Sequence, residues 1–244
     1  AQREAIRRAM ECQICIVTGG PGTGKTTALG GILALFHQLE YKTLLAAPTG
    51  RAAKRLSELT GCEALTIHRL LEVQFSEETG QMVFAHDADE PLSCDALIVD
   101  EMSMVDLLLM QALVLALPER CRLILVGDPD QLPSVGPGNV FSDLIRSKQI
   151  PVVRLTEIFR QAQKSMIVMN AHAVNTGKMP HLEYKDRDFF FLRRLAPGQV
   201  VDTIRELCVR RLPKNLGIPP EDIQVLSPTR KYETGTVNLN AVLQ

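Results

Sequence analysis

Gly19-Gly20-Pro21-Gly22-Thr23-Gly24-Lys25-Thr26 closes a run of glycines with an amine and a hydroxyl. These residue types suit phosphate. Glycines let successive backbone N–H groups turn inward around phosphate oxygens, and the N-terminus of a helix behind them adds a favourable dipole. The G-x-x-x-x-G-K-[ST] spacing assigns Lys25 to the β- and γ-phosphates of a nucleoside triphosphate and the Thr26 hydroxyl to Mg²⁺, with Gly20, Pro21, Gly22, Thr23 and Gly24 lining the cradle. A chance glycine-rich turn is the competing reading; the apolar run before the loop and the helical pattern after it weigh against that. Such a loop needs a carboxylate at a neighbouring strand end. Ala96-Leu97-Ile98-Val99-Asp100-Glu101 supplies two, Asp100 for the metal and Glu101 to polarise an attacking water. Taken alone, the pair would read as a solvated strand end. A further apolar run from Arg122 leads into Gly127-Asp128-Pro129-Asp130-Gln131. Strand ends of an open α/β sheet face its ligand, so Asp128 and Gln131 are expected at the nucleotide, Gln131 to orient water or sense the γ-phosphate. A plain turn through these residues is compatible with that role.

The elements that must position these groups are short apolar runs alternating with longer helical patterns, the signature of an α/β fold with a mainly parallel sheet. Strands are predicted over Ile14–Thr18, Thr43–Ala47, Ala96–Asp100, Arg122–Val126, Val152–Leu155 and Ile223–Ser227. Helices are predicted over about Lys25–Leu39, Gly50–Leu59, Val105–Leu115, Val140–Arg146, Ser165–Thr176 and Pro197–Arg211. Residues 72–92 break the rhythm: Val73-Gln74-Phe75 and Gln81-Met82-Val83-Phe84 flank a polar stretch ending in Gly80, a predicted β-hairpin insertion with Gly80 at positive φ. The stretch Ser147–Pro151 marks the predicted boundary between a nucleotide-binding domain over 1–148 and part of a second domain over 149–244.

Composition narrows the classes. With 244 residues, 45% hydrophobic and 23% charged, the chain has material for a core and is not a disordered segment. Its 27 Lys+Arg against 28 Asp+Glu exclude a tail-type polycation but not a local basic groove. The longest apolar run, Leu107–Leu117, is too short to span a membrane and contains Gln111. No secretory signal precedes it, and six scattered cysteines read as reduced thiols of a cytoplasmic protein. The sequence starts at Ala1 without an initiator Met, as expected of a cut piece or of a processed chain.

Five blocks in order resemble the motifs of superfamily-1 helicases: Gly19–Thr27, Ala47-Pro48-Thr49-Gly50-Arg51-Ala52-Ala53, Thr66-Ile67-His68-Arg69-Leu70-Leu71, Asp100-Glu101-Met102-Ser103-Met104-Val105-Asp106 and Gly127-Asp128-Pro129-Asp130-Gln131-Leu132-Pro133. Together with Leu155-Thr156-Glu157-Ile158-Phe159-Arg160-Gln161 and Val225-Leu226-Ser227-Pro228, the wording is most similar to the RecD-like branch, which includes the exodeoxyribonuclease V alpha subunit. The resemblance implies RecA-like P-loop domains and an ATP- and Mg²⁺-dependent motor running 5′ to 3′ on single-stranded DNA, acting at duplex junctions in recombination or repair. It also implies possible partners in a recombination nuclease complex. It implies that Gln2 contacts adenine, that Thr27 belongs to the nucleotide loop, and that Arg160 reaches the γ-phosphate. Pro48, Thr49, Arg51, Thr66, His68 and Asn139 match positions lining the DNA, and the hairpin matches a small pin that parts the duplex. The family's last motifs do not occur in this sequence, so the expectation for the chain as it stands is nucleotide binding with slow hydrolysis. Two alternatives remain open, a nucleotide-switched DNA-binding or assembly subunit and a conjugative-relaxase type of helicase. Cys12-x-x-Cys15 is read as buried thiols rather than a metal or redox pair, and Phe189-Phe190-Phe191 as a buried strand rather than a base-stacking patch.

Overall fold

The strand segments are almost unbroken apolar runs because the sheet they build is covered on both faces. A computed structural model describes residues 1–75, 82–159, 162–184 and 187–244. The chain separates into two units: Ala1–His181 forms the first, Phe189–Gln244 belongs to the second, and the segment 182–188 is divided between them.

The first unit carries strands β1 (Ile14–Gly19), β2 (Thr43–Ala47), β3 (Ala64–Thr66), a hairpin of β4 (Val73–Phe75) and β5 (Met82–Phe84), then β6 (Ala96–Val99), β7 (Arg122–Gly127) and β8 (Val152–Leu155). Its helices are α1 (Gln2–Glu11), α2 (Lys25–Gln38), α3 (Gly50–Thr60), α4 (Ile67–Leu70), α5 (Leu107–Leu115), α6 (Val140–Ser147) and α7 (Met166–Asn175). Six strands pair in the order β3-β2-β6-β7-β1-β8, all parallel. Every one of these strands therefore ends at the same edge of the sheet. From β1 the chain leaves through α2 toward β2 on one side, whereas β7 passes over β1 to β8 on the other. The connections diverge at β1, which is where open α/β sheets leave a crevice for ligands.

Alternation along the strands sorts the core into two layers. Leu97, Val99, Leu123, Leu125 and Ile16 pack with Leu70, Leu109, Leu113, Phe141 and Ile145 under α4, α5 and α6. Ala96, Ile98, Ile124, Val126, Cys15 and Val17 pack with Ala5, Ala9, Ala28, Leu29, Ile32, Phe36 and Leu56 under α1, α2 and α3. Arg122 ties the layers at the far edge, donating from Nη1 to the carbonyls of Cys12 and Ala9 (3.0 and 3.4 Å) at the C-terminal end of α1, where orphan carbonyls and the helix dipole favour a cation.

Several elements differ from the sequence expectations, each for a local reason. The helix predicted from Val105 starts at Leu107, because the Asp106 carboxylate accepts from Leu109 N at 2.8 Å and caps it there. The residues beyond the predicted boundary at 148 continue the first unit. β8 adds to β1, with Val17 opposite Val153, and α7 stays in the same unit. The hairpin strands pair antiparallel in the register Val73–Phe84, Gln74–Val83, while its acidic tip and Gly80 lie outside the described residues.

The second unit holds α8 (Pro197–Glu206), which runs on through a π-helical turn at Leu207–Arg211, α9 (Leu212–Leu216) and α10 (Thr236–Leu243). No strand occurs among its described residues. Ile223–Ser227 and Phe189–Phe191 are irregular, with Leu226 86% and Phe190 57% exposed. Apolarity alone does not make a strand; backbone N–H and C=O groups need a neighbouring strand to pair with, and among the described residues neither segment has one.

Candidate nucleotide-binding site

The loop after β1 turns into α2 through Gly24, whose φ of 85° and ψ of 32° lie in the left-handed region that glycine enters freely. A Cβ there would press on the Phe159 ring and the Gln2 amide, both of which would have to shift. Gly20 faces the His172 ring, where a Cβ would stand 2.9 Å from Cε1. The buried Thr23 hydroxyl staples the loop by donating to Gly20 O at 2.8 Å. Lys25 Nζ donates to Gly19 O at 2.5 Å and Gly20 O at 3.2 Å, and Gln2 Nε2 to Gly24 O at 3.3 Å. Thr26 and Thr27 occupy the exposed first turn of α2. The loop is thus a backbone cradle with an amine folded into it and free helix N–H groups beneath, a donor set made for an anion.

Asp100 and Glu101 follow β6 at the same sheet edge. Asp100 Oδ1 accepts from Glu101 N at 2.9 Å, and Glu101 takes the left-handed conformation (φ 54°, ψ 42°), a strained choice for a residue with a Cβ. Burial pushes the Asp100 carboxyl above its ordinary value, opposed by the Glu101 N–H and by the charges of Lys25 and Arg55. Burial also raises Glu101, the Asp100 charge adds to this, and Lys25 and Arg55 oppose it; buried Asp128 raises it further. One amine, one guanidinium and three carboxylates therefore share a single electrostatic neighbourhood. Gln131 lies next to it, with Oε1 3.4 Å from the Ser103 hydroxyl and its N–H 3.3 Å from Asp128 O. Arg160 lies outside the described residues.

Hard oxygens from Thr26 and Asp100 are the donors Mg²⁺ prefers, and a buried carboxyl whose charged form is disfavoured is the kind of group a divalent cation stabilises. No cluster of three or more His, Cys, Asp or Glu able to hold a metal occurs among the described residues; Mg²⁺ at phosphate sites needs only one or two protein oxygens beside those of the phosphates. The raised Asp100 carboxyl has a consequence for stability. The folded chain takes up this proton more readily than the unfolded chain, so stability from this group rises as pH falls toward the ordinary carboxylate value. Asp100→Asn is expected to raise the melting temperature at neutral pH by about 2–4 °C, the effect of ~1 kcal/mol in a chain this long. The gain should shrink toward about pH 4, near the ordinary carboxylate value, where the native carboxyl holds its proton more than an unperturbed one does. Melting curves at both pH values test this, and a neutral-pH melting temperature at or below that of the native chain would contradict it.

Five of the six residues matched to DNA positions gather at the outer half of the same edge. Thr66 pairs in register with Ala47, the residue before Pro48. Thr49 Oγ1 caps α3 by accepting from Ala52 N, and Thr66 Oγ1 caps α4 by accepting from Arg69 N, both at 3.2 Å. Each hydroxyl keeps its own proton to donate. Arg51 is exposed in the first turn of α3, His68 stands 6.1 Å from the Phe84 ring of the hairpin, and Asn139 stands at the start of α6, apart from this group in sequence. Four strand spacings separate β3 from β1, about 19 Å. The sequence reasoning passed over Arg55 as a site residue, although it follows Arg51 by one helical turn and so shares its face. It also passed over Phe159, His172 and Asn175, whose proximity to the site only the fold creates.

A family model described as the AAA domain matches residues 2–137. The chain is 39% identical over 95% of its length to the ATP-dependent RecD2 DNA helicase of Deinococcus radiodurans, and 34% identical over 86% of its length to the RecBCD enzyme subunit RecD of Mycolicibacterium smegmatis. It spans 30% and 40% of the lengths of these two relatives. The crystal structure of Bacteroides Pif1 bound to ssDNA superposes with a TM-score of 0.50 at 19% identity, covering 84% of this chain and 55% of that one, a likeness of fold. No helix among the described residues is long and apolar enough to cross a membrane. With its phosphate loop, strand-end carboxylates and five of the six parallel strands inside the matched region, the chain belongs to the AAA-domain family and is a RecD-like member of it.

Proposed function

We propose that this chain is the motor portion of an ATP-dependent DNA helicase that moves 5′ to 3′ along single-stranded DNA and couples ATP hydrolysis to strand separation in recombination or repair. The observation that carries the reading is the shared sheet edge. Lys25, Asp100, Glu101 and Gln131 converge at one half of it, and Pro48, Thr49, Arg51, Thr66 and His68 at the other. The parallel β2 and β6, paired through Ala46 and Val99, join the two halves rigidly.

In this reading the loop N–H groups and Lys25 bind the phosphates of ATP, and Gln2 stands beside the loop on the side suited to the base. Thr26 and Asp100 hold Mg²⁺, which when bound screens the phosphate oxygens and polarises the bond to be cleaved. Glu101 accepts the proton of the attacking water; a carboxyl raised by burial is a better base than an ordinary one. Gln131 orients that water or senses the γ-phosphate, and Arg160 supplies positive charge to it. At the other half, the helix starts at Thr49 and Thr66 offer N–H groups, hydroxyl protons and the Arg51 guanidinium to DNA phosphates. Such contacts hold a strand without reading its sequence, as a motor requires. The partners are single-stranded DNA and duplex junctions, with other subunits of a nuclease complex in organisms that build one, and the compartment is the cytoplasm, where bacterial DNA lies.

The test is ATP hydrolysis with and without oligonucleotide, beside unwinding of duplexes bearing a 5′ or a 3′ tail, using the full-length protein. Single-stranded DNA should stimulate hydrolysis, and only the 5′-tailed duplex should open. Preference for a 3′ tail would refute the polarity. Nucleotide binding that alters partner affinity without DNA-stimulated turnover would favour an assembly switch instead.

A further inference from the structure

Helix α7 lies against the phosphate loop and presents two polar side chains one turn apart on the same face, His172 and Asn175. His172 Nε2 stands 3.3 Å from Pro21 O, and its ring closes over Gly20. Asn175 Nδ2 donates to Asp130 Oδ2 at 2.8 Å. Asp130 immediately precedes Gln131, and its N–H donates to the carboxylate of buried Asp128 at 3.1 Å. One face of one helix therefore touches both loops from which the chemistry described above is drawn.

The helix is itself well fastened. Asp188 Oδ1 accepts from Met166 N and Ile167 N at 2.6 and 3.3 Å, and Ser165 Oγ accepts from Val168 N at 3.3 Å. The buried Asn170 amide donates to His181 O at 2.9 Å and accepts from His181 N at 2.7 Å. By contrast, the loop bearing Gln131 is irregular from 128 to 139. Its far part is fastened, Ser134 Oγ donating to Gly136 O and Gly138 O at 3.2 and 3.1 Å and Leu107 N to Pro137 O at 2.9 Å. Among the described residues, however, the Gln131 side chain has a single long bond, to Ser103, and Leu132 beside it is exposed. A side chain with one long bond of its own is aimed by whatever fixes the backbone beside it.

We propose that α7 is a strut between the phosphate loop and the Gln131 loop, and that Asn175 is a positioning residue for ATP hydrolysis, acting through Asp130 on Gln131. His172 sets the other end of the strut against Pro21. The proposal rests on the reading of the site as one that hydrolyses ATP. Its energetic content is geometric: misplacing an aligned group by 1 Å costs on the order of 10²-fold in rate, whereas the affinity for ATP, held by the phosphate loop, is left intact.

The test exchanges the two ends of the tie. Asn175→Ala is expected to lower kcat for ATP hydrolysis by about 10–100-fold with KM little changed. Asn175→Asp sets two carboxylates against each other and should do the same. Combining Asn175→Asp with Asp130→Asn rebuilds one amide–carboxylate bond with its partners exchanged, and should restore most of kcat. Both positions are exposed, so the fold should survive each change. An unaltered kcat in Asn175→Ala, or a double variant no better than the single ones, overturns the strut. Amide hydrogen exchange over 128–132 gives a readout independent of hydrolysis: faster exchange in Asn175→Ala and recovery in the exchanged pair support it, and unchanged exchange overturns it. Absence of hydrolysis in the native protein would instead refute the reading of the site, and the exchange data would still decide the strut.

Discussion

Replacing Lys25 by alanine is expected to weaken ADP and ATP binding by about a hundredfold and leave the fold intact. The amine makes no apolar core contact; Nζ is held by Gly19 O and Gly20 O at the lip of the loop. A charged hydrogen bond contributes ~1.5–3 kcal/mol, and 1.4 kcal/mol is tenfold in affinity, so losing one or two phosphate contacts amounts to that hundredfold. Two partly buried carbonyls lose a donor that water can replace, which limits the stability cost to ~1 kcal/mol, or about 2–4 °C in melting temperature. Calorimetric titration with ADP and a melting curve measure both quantities. Tight binding by Lys25→Ala would overturn the assignment of the loop, and unfolding would show that the lysine serves the core.

Glu101→Gln is expected to have the opposite signature: ADP affinity close to native, and hydrolysis lower by about 10²–10⁴, the usual contribution of a positioned general base. Glutamine keeps the size and the backbone demand of the position, which at φ 54° would be the first thing a bulkier change disturbed. Burial and the neighbouring Asp100 charge raise the Glu101 carboxyl. The base is therefore lost by protonation at a higher pH than an ordinary glutamate, and the acid limb of the native rate profile should be displaced upward accordingly. In Glu101→Gln that limb should disappear from the residual rate. Single-turnover hydrolysis across the acid range tests both points. A variant retaining native turnover would remove Glu101 from the chemistry and leave Asp128, the carboxylate in its field not assigned to Mg²⁺, as the group to examine.

The local features were legible in the sequence because they depend on residues close together in the chain. Gly19–Thr26 specifies a phosphate cradle through glycine spacing and a helix start, and Thr49 and Asp106 are capping residues wherever their helices lie. Val73–Phe75 and Met82–Phe84 pair as predicted because a short polar connection leaves them no nearer partner. The apolar runs of β1, β6 and β7 likewise announced a sheet covered on both faces. Where apolarity was taken for structure without a partner to pair with, at Ile223–Ser227 and Phe189–Phe191, the expectation failed. Hydrogen-bond ladders are made between segments, and no segment states its own neighbour. The same limit applies at the site. Pairing of β8 with β1 brings Phe159 against Gly24 and α7 across Pro21 and Asp130, the first two contacts joining residues separated by more than a hundred positions and the third by 45. Residue types and spacings nominated groups whose chemistry suits phosphate and a metal, and the resemblance nominated those for DNA. Strand order and helix packing alone decided which of them share a field, because burial and charge proximity are properties of the folded arrangement.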